Sequence, residues 1–162
     1  MSPKGLGSRP DWEKGVILTL MEISTPIPFK PGSSLRIPLV TAIVDAGFPS
    51  PADDHLERSI DLNEELIRNK AATFCVRVQG ESMRDAGIHS GDVLVVDRAV
   101  TPSNKQIVIA MIDGEFTVKR FRKYGEKLFL EAANPEFASI QIGENQELVI
   151  WGVVTYIIHK AV

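Results

Sequence analysis

The dipeptide Asp113-Gly114, which stands between two apolar runs, places the strongest constraint on how this chain can fold. Ile107 to Ile112 precede it and Glu115 to Lys123 follow it. An Asp-Gly pair accepts the left-handed backbone of a two-residue β-turn, and apolar runs on both sides are typical of paired strands. The sequence therefore predicts a β-hairpin over residues 107–123.

Strand patterns continue on both sides of this hairpin. Residues 73–78 alternate between apolar and other side chains, which predicts a strand with one buried and one wetter face. Residues 93–96 are apolar throughout, as in a strand covered on both faces, and a turn at 124–126 leads to a further strand. Residues 148–158 are predicted to close the sheet, with Gly152 as a bulge or a point of close approach. We expect a mostly β protein with a partly closed antiparallel body and short helices.

The N-terminal part differs in composition from this body. Residues 1–37 contain five prolines among scattered Gly and Ser, which argues for an extended arm instead of a packed unit. Val16 to Ile23 is predicted to form one strand that adds to a sheet edge. The arm is either a natural extension or partly an expression remnant. Pro38 to Phe48 should be extended and mobile.

Two short helices are expected between the arm and the body. Pro51 suits the first position of one helix. Asp61 and Glu64 fit a capping box for a second helix over Leu62 to Arg68.

Composition narrows the classes of function. The 162 residues suit one domain plus an arm, and the formal charge of −3 gives no sign of a DNA-binding surface. Cys75 is the single cysteine, so no internal disulfide and no Cys/His cluster for a metal is expected. No apolar run reaches the roughly 20 residues of a membrane span, and the run from Gly15 to Met21 lacks a signal-peptidase cleavage pattern. We expect a soluble cytoplasmic protein without a cofactor.

Two motifs suggest chemistry. Ser82 lies in the tight-loop sequence Gly80-Glu81-Ser82-Met83 after an apolar strand, and Lys119 lies within an apolar strand. A free lysine has a pKa of about 10.4, so at neutral pH only roughly one in a thousand is neutral. Burial lowers that value, and a buried Lys119 is therefore a candidate base for the Ser82 hydroxyl.

Each of these residues also has an ordinary structural interpretation. A serine after glycine usually satisfies a turn, and a lysine in a strand is usually solvated. Met83 is expected to pack into the core beneath the loop, and Glu81 is expected to be solvated. The backbone N–H groups at Glu81 and Ser82 are candidate oxyanion donors. The three histidines are scattered and lack an obvious carboxylate partner, which disfavours a Ser-His-Asp triad: His55, His89 and His159.

Several ordered blocks carry a resemblance to a known family. They are Ala46-Gly47-Phe48-Pro49-Ser50-Pro51, Ser59-Ile60-Asp61-Leu62-Asn63, Gly80-Glu81-Ser82-Met83, Gly87-Ile88, Gly91-Asp92-Val93-Leu94-Val95-Val96-Asp97, Asp113-Gly114-Glu115-Phe116-Thr117-Val118-Lys119 and Trp151-Gly152-Val153-Val154. From about Pro38 onward the chain resembles the LexA/UmuD family of self-cleaving serine peptidases, and within it the UmuD-like proteins of SOS mutagenesis.

The resemblance implies a Ser-Lys dyad and a cut within the chain itself. Ser82 would be the nucleophile, Lys119 the base and Ala46-Gly47 the scissile bond, with Glu81 and Met83 supporting the loop and its oxyanion donors. Cleavage would remove the arm, residues 1–46, and leave the body, residues 47–162. Ala-Gly at the cut is LexA-like, whereas UmuD has Cys-Gly, so the small residue is kept.

The resemblance also implies partners. A RecA–single-stranded DNA filament would activate cleavage, and the processed homodimer would serve a Y-family, UmuC-like polymerase in translesion synthesis. Three alternatives remain. The first is a LexA-like repressor fragment, although the proline-containing N-terminal part offers little room for a DNA-binding domain. The others are a signal-peptidase-like enzyme without its membrane anchor and a non-catalytic interaction module on the same scaffold.

Overall fold

The computed structural model describes residues 22–23, 27–28, 32, 34, 36–40 and 57–162. Its elements, in chain order, are β1 (Glu22–Ile23), β2 (Ile27–Pro28), β3 (Arg36–Val40), β4 (Glu57–Asp61), α1 (Leu62–Leu66), β5 (Thr73–Gln79), a 3-10 turn (Arg84–Ala86), β6 (Val93–Asp97), β7 (Ile107–Ile112), β8 (Glu115–Tyr124), β9 (Lys127–Glu131), β10 (Ile140–Gln141) and β11 (Leu148–Ile158).

Nine of the described strands form one sheet in the order β1-β5-β6-β11-β7-β8-β9-β10, with β2 also paired to β5. All of these pairings are antiparallel. Because β1 also lies against β8, the sheet curls toward closure. The predicted mostly β, partly closed antiparallel body is confirmed. Strands β3 and β4 form a separate two-stranded ribbon.

The predicted hairpin is formed by β7 and β8. Its turn residues Asp113 and Gly114 have φ values of 49° and 90°, which is the left-handed backbone that an Asp-Gly turn requires. The N–H of Asp113 donates to the Glu147 carbonyl, and the Asp113 carboxylate accepts from the Glu147 N–H. The turn is therefore fastened to the start of β11.

Two apolar clusters cover the two faces of the central strands. The first contains Phe74, Val76, Val78, Met83, Ile88, Leu94, Val96, Ile109, Val118 and Ala133. The second contains Val108, Ala110, Ile112, Leu130 and Val153. Strand β7 contributes to both clusters, which explains its continuous apolar sequence, and β5 shows the predicted alternation of buried and wetter positions.

Gly152 has both features expected of it. The register of β11 against β7 shifts between Ile150 and Gly152, which marks a bulge. A Cβ atom at this position would lie 2.7 Å from Val96 Cγ1 and 2.9 Å from the Asp97 carbonyl oxygen. Only glycine lets β11 and β6 approach this closely.

Helix α1 is shorter than predicted. It ends at Leu66, because Ile67 has the extended backbone angles φ −127° and ψ 97°. The Asp61 side chain caps the helix by accepting from the Asn63 N–H. The helix expected at Pro51 lies outside the described residues.

The segment 38–48 is predicted to be extended and mobile. Residues 38–40 are extended, as part of β3, and pair with β4, while the rest of the segment lies outside the described residues. Of the strand predicted over 16–23, Glu22–Ile23 pairs with β5 as expected and the remainder lies outside the described residues. No helix in the described part of the chain is long and apolar enough to cross a membrane.

Candidate serine-lysine site

Ser82 follows β5 in a sharply turned loop, in which Ser82 and Met83 are fully buried. Gly80 turns the chain with a φ of 105°, a backbone conformation that residues other than glycine rarely adopt. Its N–H donates to the Ser90 hydroxyl at 3.3 Å. The Ser82 side chain has no solvent exposure, so its hydroxyl faces the protein interior.

Residues that follow β9 form hydrogen bonds with the backbone of this loop. The Ala133 N–H donates to the Ser82 carbonyl at 2.8 Å, and the Asp85 N–H donates to the Ala133 carbonyl at the same distance. The buried Asn134 side chain donates from Nδ2 to the Glu81 carbonyl at 2.9 Å. These bonds fix the backbone on both sides of the Ser82 hydroxyl.

Lys119 points into the same interior from β8. Lys119 is 1% exposed, and in the β7–β8 ladder it pairs with Val108. Its Nζ donates to Ser82 Oγ at 3.1 Å. The two residues are far apart in sequence, and the curled sheet brings them together.

Burial changes the acid–base behaviour of this lysine. Because an apolar interior disfavours the ammonium form, desolvation lowers the pKa of Lys119 from 10.5 to about 8. A lysine with such a pKa is neutral in a useful fraction of molecules near neutral pH, and its lone pair can then accept a proton from the hydroxyl that it contacts.

Thr117 belongs to the same buried surface, although no pattern in the sequence singled it out. It lies two residues before Lys119 and therefore on the same face of β8. Its hydroxyl oxygen is buried and has no hydrogen-bond partner among the described residues. A buried hydroxyl without a hydrogen-bond partner costs free energy, and this one lies on the strand face that carries Lys119.

The two loop residues named with Ser82 take different positions. Met83 is fully buried in the first core cluster, as predicted for a residue beneath the loop. Glu81 is exposed, also as predicted, and its carbonyl is held by Asn134. Their part in binding an oxyanion stays a prediction.

The predicted scissile residues, Ala46 and Gly47, lie outside the described residues. The segment that contains them, residues 41–56, joins β3 to β4. Its two ends are brought together, since Val40 and Glu57 are register partners in the ribbon.

The statement that the histidines lack a carboxylate partner was wrong for His159. Its Nδ1 lies 2.6 Å from Asp92 Oδ1, and Asp92 Oδ2 accepts from the His89 N–H at 2.8 Å. Burial opposes ionisation of Asp92, but the hydrogen bonds from His89 and His159 prevail and lower its pKa. The Ser82 hydroxyl accepts a hydrogen bond from Lys119 Nζ, and the Asp92–His159 contact involves neither residue. His55 lies outside the described residues.

Two further observations concern alternative chemistry. In the described ranges no group of three or more His, Cys, Asp or Glu side chains is arranged to hold a metal ion. Cys75 is a free, partly buried thiol, and burial raises its pKa, which disfavours the reactive thiolate.

Comparison with known proteins bears on the same residues. The sequence pattern of the Peptidase S24-like family matches residues 38–155, a stretch that includes both Ser82 and Lys119. Protein SamA of Salmonella typhimurium is 50% identical over 123 residues, which cover 76% of this chain and 85% of SamA. Protein ImpA of Escherichia coli is 48% identical over 124 residues, or 76% of this chain and 83% of ImpA.

A more distant relative carries a more descriptive name. The LexA repressor of Ectopseudomonas mendocina is 40% identical over 136 residues, which cover 82% of this chain and 66% of the repressor. Together these matches confirm the family resemblance drawn from the sequence blocks.

Proposed function

Because the chain belongs to the Peptidase S24-like family, we propose that it is a serine endopeptidase that cuts its own arm at Ala46-Gly47. Ser82 is the nucleophile and Lys119 the general base. The observation that carries this proposal is the 3.1 Å contact from Lys119 Nζ to Ser82 Oγ inside a buried site. Such a contact joins a hydroxyl to a side chain that can accept its proton once the amine is neutral.

The reaction follows from this pair. Neutral Lys119 takes the proton of Ser82 while Oγ attacks the carbonyl carbon of Ala46. The resulting ammonium then gives its proton to the amine of Gly47, which leaves, and an ester between Ala46 and Ser82 remains. Water, deprotonated by Lys119, hydrolyses the ester and restores the serine. Because the scissile peptide belongs to the same chain, the reaction gains a large effective molarity.

The pKa of Lys119 sets the efficiency of this base. With a pKa of about 8, lysine is neutral in about one molecule in ten at pH 7, compared with roughly one in a thousand for a free lysine. Raising the pH from 7 to 10 should therefore speed cleavage by about tenfold, after which the rate levels off.

Loop geometry supplies the second requirement, which is stabilisation of the negative charge on the Ala46 oxygen. We assign this task to backbone N–H groups of the loop Glu81–Met83. Asn134 and Ala133 hold the backbone of this loop from the opposite side. Fixed donors stabilise a developing oxyanion more than mobile ones, because they need no rearrangement during the reaction.

The Thr117 hydroxyl is assigned a positioning role. As a buried acceptor on the same strand face, it can receive an N–H from the Lys119 amine and keep the lone pair of that amine aimed at Ser82. The hydroxyl has no hydrogen-bond partner among the described residues and is therefore available to accept such a bond.

The biological role is proposed from the family resemblance. A RecA–single-stranded DNA filament activates the cut, and the product, residues 47–162, acts as a homodimer that serves a Y-family polymerase during translesion synthesis in the cytoplasm. A LexA-like repressor is the second candidate, since a LexA repressor is among the relatives. A non-catalytic module on this scaffold is the third, and it predicts no cut at all.

The decisive experiment is incubation of the purified protein at about pH 10, followed by intact-mass analysis. Wild type should yield residues 1–46 and 47–162, whereas Ser82→Ala and Lys119→Ala should stay whole. Lys127→Ala, which removes an exposed lysine at the start of β9, is the matched control and should cut like wild type. If wild type stays whole even with RecA filaments added, the peptidase proposal fails and the non-catalytic module is favoured.

A further inference from the structure

We propose that a chain cut between Ala46 and Gly47 remains a two-fragment complex, in which residues 1–46 stay bound to residues 47–162 as added β-strands. This inference rests on the proposed self-cleavage and concerns the state of the chain once the bond is broken. Cleavage would then break the peptide bond, but the arm would stay bound to the body.

The first reason is the position of the ladders relative to the cut. Strands β1, β2 and β3 all precede Ala46, and their partners β5 and β4 all follow Gly47. The scissile bond lies in residues 41–56, which join β3 to β4. No described strand pairing is therefore interrupted when the bond breaks.

The pairing with β5 is the stronger attachment. Glu22 and Ile23 pair with Gln79 and Val78, and the ladder of β2 continues along β5 toward Phe74. Strand β1 also lies against β8, so the arm lies against both flanks of the curled sheet. Loss of the arm would leave the N–H and C=O groups along one edge of β5 without strand partners, which makes release unfavourable.

The ribbon supplies a second and weaker attachment. Five register pairs join β3 to β4, from Arg36 with Asp61 to Val40 with Glu57. The Ser34 hydroxyl, upstream of the cut, donates to the Asp61 carboxylate downstream of it. An isolated two-stranded ribbon is only marginally stable in water, so this pairing alone would not hold the fragment.

Cleavage still changes the state of the arm. Before the cut, the arm competes for the β5 edge at the high effective concentration of a tethered segment, and after it the arm is a separate ligand. The β5 edge can then be taken by another extended segment that forms an antiparallel ladder, from a second copy of this chain or from a partner, but only after the bound fragment has been displaced.

The test starts from the full-length chain after complete cleavage. The sample is returned to neutral pH and separated by size at about 10 μM, and the body peak is analysed by denaturing intact mass. We expect both fragments at equal amounts in one peak. A body peak that contains residues 47–162 alone would overturn the proposal.

Two proline variants test whether the ladders hold the fragment. Ile23→Pro and Ile37→Pro together place a residue without an N–H in each paired stretch, and Gly32→Pro, which lies between them and outside both, is the matched control. The double variant should lower the fraction of retained fragment by at least about tenfold, while the control retains it. Equal retention in the double variant and wild type would contradict the strand-mediated binding.

A second form of the experiment separates this proposal from the proposed function. In Ser82→Ala, a recognition sequence for an exogenous protease inserted after Ala46 allows the cut to be made without the dyad. If wild type fails to cut itself, the proposed function falls, while retention after the exogenous cut still supports the two-fragment complex. Release after the exogenous cut overturns the two-fragment complex whether or not wild type cuts itself.

Discussion

The β7–β8 hairpin and the β3–β4 ribbon are antiparallel pairs of similar length with opposite surroundings. Six register pairs join the hairpin and five join the ribbon. The hairpin turns through Asp113 and Gly114 alone, whereas residues 41–56 connect the two strands of the ribbon. Val108 and Ile109 are fully buried in the hairpin, while Ile37 and Leu39 in the ribbon are 38% and 45% exposed.

The difference teaches that strand pairing alone does not determine rigidity. Burial on both faces fixes the hairpin, and this is what places Lys119 within hydrogen-bonding distance of Ser82. The ribbon brings together the two ends of the segment with the predicted scissile bond but contributes little apolar burial itself. A catalytic site needs side chains fixed by burial, as in the β7–β8 hairpin. A substrate segment that must enter a site is better joined to an exposed pair such as the β3–β4 ribbon.

The largest effect is expected for substitution of the base on the hairpin. Lys119→Arg keeps a positive charge but cannot lose a proton, because the guanidinium has a pKa above about 12. Self-cleavage at about pH 10 should fall by a factor on the order of a thousand or more. Arg58→Lys on the exposed ribbon is the control and should cut at the wild-type rate. A Lys119→Arg rate within tenfold of wild type would rule out Lys119 as the base.

The next effect compares the two pairs directly. Ile109→Ala should lower the free energy of unfolding by about 2–5 kcal/mol, because it opens a cavity in the core. Leu39→Ala should change it by less than about 0.5 kcal/mol, because the side chain is already half in water. Urea unfolding in the Ser82→Ala background measures both without interference from cleavage. Equal losses would show that the ribbon is packed against the body in solution.

The buried amine itself should destabilise the hairpin. Because the folded-state pKa of Lys119 is about 8 and lies below its ordinary value of 10.5, the unfolded chain binds more protons between these two pH values, and stability rises with pH there. Lys119→Met should therefore be more stable than wild type by about 3 kcal/mol at pH 7. Unfolding measured from pH 7 to 10.5 should show this gap closing, whereas a constant gap would mean that folding does not lower the pKa of this amine.

The smallest effect concerns the Thr117 hydroxyl, which lies on the same face of β8 as Lys119. Thr117→Val keeps the shape of the side chain and removes a single acceptor, which is worth about 1 kcal/mol, so cleavage should slow by about five- to tenfold. Thr117→Ser keeps the hydroxyl and should restore most of the rate. The pH profile distinguishes positioning from a packing defect, because only loss of the acceptor should shift the midpoint of the profile.

The sequence predicts the parts of this molecule that are governed by neighbouring residues. The Asp-Gly turn, the alternation along β5 and the tight approach at Gly152 all follow from local backbone chemistry. The pairing of Ser82 with Lys119 spans 37 residues, and the two motifs only suggested it. The family resemblance made it specific, since no local pattern joins the two residues. The contact of Asn134 with Glu81 spans 53 residues and was missed, because a single Asn before proline resembles any turn residue.

Long separations explain the other differences as well. The Asp92–His159 contact spans 67 residues, so three scattered histidines gave no hint of it. The β3–β4 ribbon was not predicted, because its strands are short, contain a proline and are separated by a long connection. In both cases the deciding interaction is formed by the tertiary fold and leaves no periodic signal in the sequence.

The position of β11 has a consequence for the timing of synthesis. It follows every other described strand in the chain, yet it lies in the middle of the sheet, between β6 and β7. On the ribosome, the strand leading to Ser82 and the strand carrying Lys119 therefore belong to two sheet fragments that this central strand has not yet joined. Until β11 is made, only β1 links these two fragments among the described strands, so the sheet that brings Ser82 and Lys119 together is completed late in translation. If the proposed self-cleavage holds, this order delays the cut until synthesis is nearly finished.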